Sequence, residues 1–372
     1  MDDNRLIQGT FNGTLPSQIN AHFSDPRENL YTLMAYATLS DDNKTLKFGP
    51  NSKKLLYLYI HPSWSPMYER ITRNFDEYGK DRILVTGTPG IGKSSFSYYY
   101  IWRAICQDKL TSFLYQNSLN SVELHLSSTV VLIADTGICP KGLPFFVDMK
   151  THAEPDPAAV ERSAYTIIFS SPDNSRFKDF MKDQDRIKYI LEPWSEEEIN
   201  EAWRLVPSFS KVSEEVVGAQ YAIYGGIPRS VFCHAEEVDE PMKHALSTKG
   251  KETAAALMTG SIGEGPEVQL SHMVLHMRPQ ITKTHMLTDV EFFFPASPFV
   301  VRELVKVYRE LMFQKFWEWT KFKSAIYKSG AGLIFETLYQ IYMSNRQHNI
   351  TSLQGIALTL LRVAGLVPTS FR

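Results

Sequence analysis

The chain has 372 residues and a mass of 42.5 kDa, and since a single hydrophobic core rarely grows beyond roughly 250 to 300 residues, two or three domains are expected. Hydrophobic residues at 43% and charged residues at 22% exclude wholesale disorder and a collagen-like or low-complexity chain. Lys and Arg number 39 against 41 Asp and Glu, a formal net charge of -2, which excludes a polyelectrolyte overall. The carboxyl end departs from that balance: from Val300 to Arg372 ten Lys and Arg face four Glu, a net +6.

Residues 1–56 are mainly polar, with turn clusters such as Ser40-Asp41-Asp42-Asn43-Lys44, and read as a lead-in of uncertain order with a weak strand signal at Leu55 to Ile60. Tyr68 to Tyr78 has helical spacing at Ile71, Phe75 and Tyr78, and then Ile83-Leu84-Val85 forms a short apolar run of strand type. A Gly-rich stretch follows, then the helical pattern Phe96 to Ile105, then apolar strands at Val130 to Ala134, Leu143 to Val147 and Tyr165 to Phe169. Strands alternating with helices predict an α/β fold with a parallel sheet covered by helices. After Trp194-Ser195-Glu196-Glu197-Glu198 the pattern turns helical, and the hydrophilic stretch across 246–270 reads as a linker or long loop. Beyond it, Val301, Leu304, Val305, Tyr308, Leu311, Met312 and Trp319 keep helical spacing, so 271–372 reads as a helical, basic carboxyl-terminal region. The first large domain is expected over 57–245.

Three cysteines, Cys106, Cys139 and Cys233, form no C-x-x-C pair and have no zinc-type spacing to histidine. A disulfide scaffold is excluded and a reducing compartment fits. The amino end lacks the basic start and unbroken apolar run of a signal peptide, and no run of about 18 apolar residues occurs. The expectation is an intracellular protein, cytoplasmic or nuclear, with no membrane partner.

The strongest motif is Gly87-Thr88-Pro89-Gly90-Ile91-Gly92-Lys93-Ser94, followed by Ser95. It matches G-x-x-x-x-G-K-[ST] between a predicted strand and a predicted helix, the context a phosphate-binding loop requires. The glycines let successive backbone N-H groups turn inward onto phosphate oxygens, and the following helix presents its positive end to the same anion. Lys93 supplies a charge for the beta and gamma phosphates, and Ser94 a hard oxygen for Mg2+. The expected fold is therefore a P-loop NTPase with ATP and Mg2+ as cofactors.

Such a site needs a second acid at the end of a neighbouring strand. Asp135 closes Val130-Val131-Leu132-Ile133-Ala134, Asp148 closes Leu143-Pro144-Phe145-Phe146-Val147, and either also reads as a strand-end turn residue. Neither precedes a second acid, since Thr136 and Met149 follow, so rapid hydrolysis is not expected. Ser171, in Ser170-Ser171-Pro172-Asp173 after the next strand, is the candidate sensor of the gamma phosphate, and a turn is the competing reading. Arg229, in Tyr224-Gly225-Gly226-Ile227-Pro228-Arg229, is the candidate cation for the phosphates; alternatively the glycines and proline merely separate two helices and Arg229 is solvated.

The order ILVTGTPGIGKSSF, LPFFVD, TIIFSSPDNSRFKDF, YILEPWSEEEI, YGGIPRSVF resembles the ATPase module of the Crinkler and retrotransposon-hot-spot proteins, from about Tyr57 to Phe335. These belong to the STAND and AAA-like branch of P-loop ATPases. The resemblance implies that Lys93 and Ser94 are the phosphate and magnesium residues, favours Asp148 over Asp135 as the second magnesium acid, and matches Arg229 to the family's arginine. The ubiquitin-like header of secreted Crinklers is not recognisable in residues 1–50, although the resemblance itself implies delivery into a host cell. Gly332-Leu333-Ile334-Phe335-Glu336 resembles the first helix of a restriction-endonuclease-like domain, yet Thr337 to Arg372 contains no Asp, Glu or Lys. An incomplete nuclease-like domain, in a truncated or altered copy, is the expectation, and an active nuclease is not.

The stretch Phe313 to Lys323, rich in aromatic and basic residues, has the composition to stack bases and neutralise phosphates. It equally suits an amphipathic helix with a solvated basic face. The expected function is Mg-ATP binding as a conformational switch with slow or weak ATPase activity, together with weak nucleic-acid binding or a protein partner at the basic end. The alternative is a nucleic-acid- or protein-binding module whose nucleotide site is structural.

Overall fold

Ile83, Leu84, Val85 and Thr86 are all fully buried on β4 (Arg82–Thr86), the unbroken pattern of a strand covered on both faces. Around it the computed structural model describes residues 30–48, 57–118, 121–125, 130–133, 140–148, 155–172, 180, 186–233, 240–259, 273–281 and 287–307. The chain divides into two compact units, the first made of Met1–Glu192, Glu196–Lys211 and Pro279–Val290, the second of Pro193–Ser195, Val212–Arg278 and Glu291–Arg372.

Among the described residues the first unit begins with α1 (Leu30–Ala35) and a three-stranded antiparallel sheet of β1 (Thr38–Leu39), β2 (Thr45–Lys47) and β3 (Tyr57–Tyr59). Helix α2 (Trp64–Asp76) buries Trp64, Met67, Tyr68 and Ile71, spaced three and four apart, so one face is apolar. After β4 come α3 (Lys93–Cys106), β5 (Phe113–Ser118), β6 (Ser121–His125), β7 (Val130–Ile133), β8 (Pro144–Asp148), α4 (Pro157–Arg162), β9 (Tyr165–Phe169) and β10 (Arg186–Ile190). The seven-stranded sheet has the order β10-β4-β9-β8-β5-β6-β7. Its first five strands are parallel, while β6 pairs antiparallel with both β5 and β7.

The fold is therefore α/β with a mixed, mostly parallel sheet rather than a purely parallel one. The sequence reading missed β5, β6 and β10 because Gln116, His125 and Lys188 interrupt their apolar runs; Gln116 and His125 are nonetheless buried, the former accepting a hydrogen bond from the Asp156 backbone N-H. From β4 the chain runs out to β5, steps back through β8 and β9, and then crosses to β10 on the other side of β4. The winding thus reverses beside β4, and in open α/β sheets the crevice at the carboxyl ends of the strands at such a reversal is where ligands bind.

Aromatic side chains fill the core between the sheet and its helices. Trp64 packs against Phe96 and Tyr99 with ring centroids 5.8 and 5.7 Å away, and Tyr100 lies 5.8 Å from Phe146. Arg103 spans α2 and α3, its guanidinium 4.6 Å from the Tyr68 ring and donating to Ser65 Oγ at 2.7 Å and to the Tyr99 hydroxyl at 2.8 Å. The last helix of this unit, α5 (Glu196–Leu205), turns two carboxylates toward the small sheet: Glu198 lies 3.1 Å from His61, and Glu201 accepts from the Tyr59 hydroxyl at 2.6 Å and pairs with Lys44.

The second unit contains α6 (Glu214–Tyr224), α7 (Pro228–Val231), α8 (Glu240–Thr259) and α9 (Pro298–Val307); β11 (Leu275–Ile281) and β12 (Leu287–Pro295) form a two-stranded sheet, of which Pro279–Val290 is grouped with the first unit. Two expectations are corrected here. Helix α8 continues to Thr259 through sequence read as linker; its Ala254-Ala255-Ala256 run has the highest helix propensity, which outweighs the polar composition. The region from 271 is not wholly helical, since β11 and β12 precede α9. Ser297 caps α9, its Oγ accepting from the Val300 N-H at 3.4 Å and donating to the Ile223 carbonyl at 2.6 Å. Residues 308–372, including Phe313 to Lys323 and Glu336, lie outside the described residues.

Candidate nucleotide site

The backbone at the end of β4 is held from both sides. Its Val85 carbonyl accepts from the Ser170 N-H at 3.0 Å, beyond β9, and its Thr86 carbonyl from the Leu191 N-H at 2.8 Å, beyond β10. The chain then enters Gly87–Gly92, where Gly87, Gly90 and Gly92 have φ of 148°, 88° and 108°, conformations that side-chain-bearing residues rarely adopt. Gly87 also has no room for a side chain: a Cβ there would lie 2.9 Å from the Leu191 carbonyl oxygen and 3.3 Å from Leu191 Cβ. Thr88 is buried, and its carbonyl accepts from the Ile91 N-H at 3.2 Å.

Gly92 is the N-cap of α3 and has no side chain to bond the first-turn N-H groups, so this end of a 14-residue helix keeps its donors and positive dipole directed at the loop. Lys93 arches back over the loop, with Nζ donating to the Gly87 carbonyl at 2.8 Å and the Thr88 carbonyl at 3.1 Å. Ser94 Oγ donates to Asp148 Oδ1 at 2.9 Å. Asp148 is 3% exposed, and it ends β8, in register with Phe169 at the end of β9. Pro89 and Gly90 of the loop and Ser95 of α3 are half-buried.

Of the two candidate acids, Asp148 is thus brought to Ser94. Asp135 lies outside the described residues, but the strand it follows, β7, stands five places from β4 in the sheet, against two for β8. At about 4.8 Å per strand these are roughly 24 and 10 Å between strands. Ser171 is half-buried just beyond β9, the strand adjacent to β4, and its carbonyl accepts from Ser170 Oγ at 3.1 Å. Arg229 belongs to the second unit, exposed on the first turn of α7.

The glycines before Arg229 have a packing role. A Cβ on Gly226 would fall 1.8 Å from the Trp194 carbonyl oxygen, and the Gly226 carbonyl accepts from the Trp194 N-H at 2.9 Å. Gly225, at φ 62°, has the Ala296 carbonyl oxygen 2.1 Å from where its Cβ would be. Both positions are fixed by close backbone approach within the second unit, which accounts for the Gly-Gly pair without any ligand.

Chemically, the site joins a turn rich in backbone N-H donors, an ammonium, a hydroxyl and a buried carboxylate. The last two are hard oxygen donors at a separation suited to one small divalent cation, so the residues present fit Mg2+ and a phosphate chain. Among the described residues no cluster of three or more His, Cys, Asp or Glu suits a metal held by protein alone, and no helix is long and apolar enough to cross a membrane. No protein-family model and no curated protein matches the chain.

Proposed function

We propose that the chain is a P-loop ATPase module that binds Mg-ATP at Gly87–Ser95 as a conformational switch and hydrolyses it slowly. The observation that carries this reading is the 2.9 Å hydrogen bond from Ser94 to Asp148, made at the carboxyl edge of the sheet beside a loop in glycine-only conformations. A Gly-rich turn with no ligand has no need of a buried carboxylate aimed at its serine. In this reading the loop N-H groups and the first turn of α3 take the phosphates, and Lys93 exchanges the Gly87 and Thr88 carbonyls for the beta and gamma oxygens. Ser94 and Asp148 hold Mg2+, which when bound neutralises phosphate charge. The reversal of strand winding beside β4 supports the same location, and the order of motifs resembling the Crinkler and retrotransposon-hot-spot module agrees with it.

Hydrolysis is slow in this proposal because Met149, not an acid, follows Asp148, leaving no adjacent carboxylate to take a proton from water. The test is a titration of the purified chain with ATP, with and without Mg2+. Lys93→Ala is expected to abolish binding while the circular dichroism spectrum is retained, and Asp148→Asn to remove the tightening by Mg2+ while leaving metal-free binding. Turnover should fall below the enzyme median of about 10 per second. A Lys93→Ala chain that binds as tightly as the parent would overturn the assignment.

A further inference from the structure

Behind Asp148 lies a buried hydroxyl that no motif marks. Tyr115 of β5 is in register with Phe146 of β8, and Asp148 follows Phe146 by two residues. Since alternate residues of a strand share a face, Tyr115, Phe146 and Asp148 point to the same side of the sheet. That side is covered by α3, because Tyr100 packs on Phe146 and Ser97, one turn beyond Ser94, is fully buried with its Oγ donating to the Ser94 carbonyl at 2.7 Å.

Tyr115 is 3% exposed, and its hydroxyl makes no hydrogen bond of normal geometry among the described residues, although the Ser97 and Tyr98 hydroxyls lie near it. The Asp148 carboxylate lies within electrostatic reach of it. A buried hydroxyl whose neighbouring hydroxyls form no bond of normal geometry with it is costly unless water satisfies it, and Mg2+ bound through few protein oxygens keeps several waters of its own.

We infer that Tyr115 is a positioning residue of this site, its hydroxyl hydrogen-bonding a water that belongs to the magnesium shell and holding that water against Asp148. The inference rests on the nucleotide reading above. It assigns to Tyr115 no contact with the nucleotide itself, only with the metal's hydration.

Tyr115→Phe in the full chain removes the oxygen and keeps the ring. Three quantities decide the matter: ATP affinity in EDTA, ATP affinity in Mg2+, and the thermal midpoint without ligand. The parent should bind more tightly in Mg2+ than in EDTA. In the variant that tightening should shrink by about tenfold, the usual scale for groups that orient a metal's ligands, while EDTA affinity is unchanged and the midpoint is unchanged or higher, as expected when no protein hydrogen bond is lost. Equal tightening in parent and variant overturns the inference and leaves the nucleotide reading intact. So does a lowered midpoint with both affinities reduced in proportion, which would mark the hydroxyl as structural. A parent that binds no ATP under either condition overturns both.

Discussion

Gly87 meets two separate constraints, a φ of 148° and a Leu191 carbonyl 2.9 Å from where a Cβ would stand. Gly87→Ala should therefore cost about 1–3 kcal/mol from the conformation alone, with contact against a hydrogen-bonded backbone added to it. Because the strain falls at the mouth of the phosphate loop, urea denaturation should register the lost stability and a titration the lost ATP affinity. An alanine variant with parental affinity would mean that this loop is not the nucleotide's cradle. The glycines, Lys93 and Ser94 were legible in the sequence because their geometry is local, a strand, a turn and a helix within a dozen residues. The Ser94 to Asp148 bond was not, since choosing between Asp148 and Asp135 requires the order of strands, and apolar runs do not encode that order. Tyr115 left no trace at all, being one aromatic among several on a core face.

At the scale of elements, two contacts invite measurement. Gly226→Ala would drive a Cβ to 1.8 Å from the Trp194 carbonyl oxygen, forcing apart the backbone pair that joins α6 and α7 to Trp194. The expected loss is about 1–3 kcal/mol or more, the range for overpacking, and hydrogen exchange in α6 and α7 should quicken before that in β4 and β9. Unaltered exchange would show that the loop can shift freely. The second contact ties α5 to Lys44, just before β2, and to Tyr59 of β3. Hydrogen bonds from Lys44 and Tyr59 hold the Glu201 carboxyl below its usual value of 4.5. A group whose folded value is depressed stabilises the fold above its unfolded value and loses that contribution as pH falls through the folded one. Stability should thus fall below about pH 4.5 in the parent, and Glu201→Gln should flatten that limb while changing little in added salt. An acid limb identical in both would assign the pH response to other carboxylates.

The elements that escaped the sequence reading share a physical reason. Strand β10 carries Arg186 and Lys188 because it is the sheet's edge, where one side can remain polar. Helix α8 is hydrophilic because propensity rather than an apolar stripe sustains its alanine-rich end. Hydropathy alone finds the central strands and passes over both.

Across the whole molecule, the chain visits the two units in turn rather than completing one before the other, with Pro193–Ser195 assigned to the second unit between segments of the first. The sheet's order has the same non-local character: β4 pairs with β9 and β10, which follow it only after four other strands. Contacts so distant in sequence slow folding, because loop closure must precede any reward.

That ordering has a consequence during synthesis. Gly87 emerges from the ribosome early, but the Leu191 backbone that walls it arrives only with the end of β10. Until then the glycine loop is attached to a strand that lacks one of its two neighbours. If nucleotide binds this loop as proposed, it cannot act as a folding ligand for the growing chain until β10 has been made.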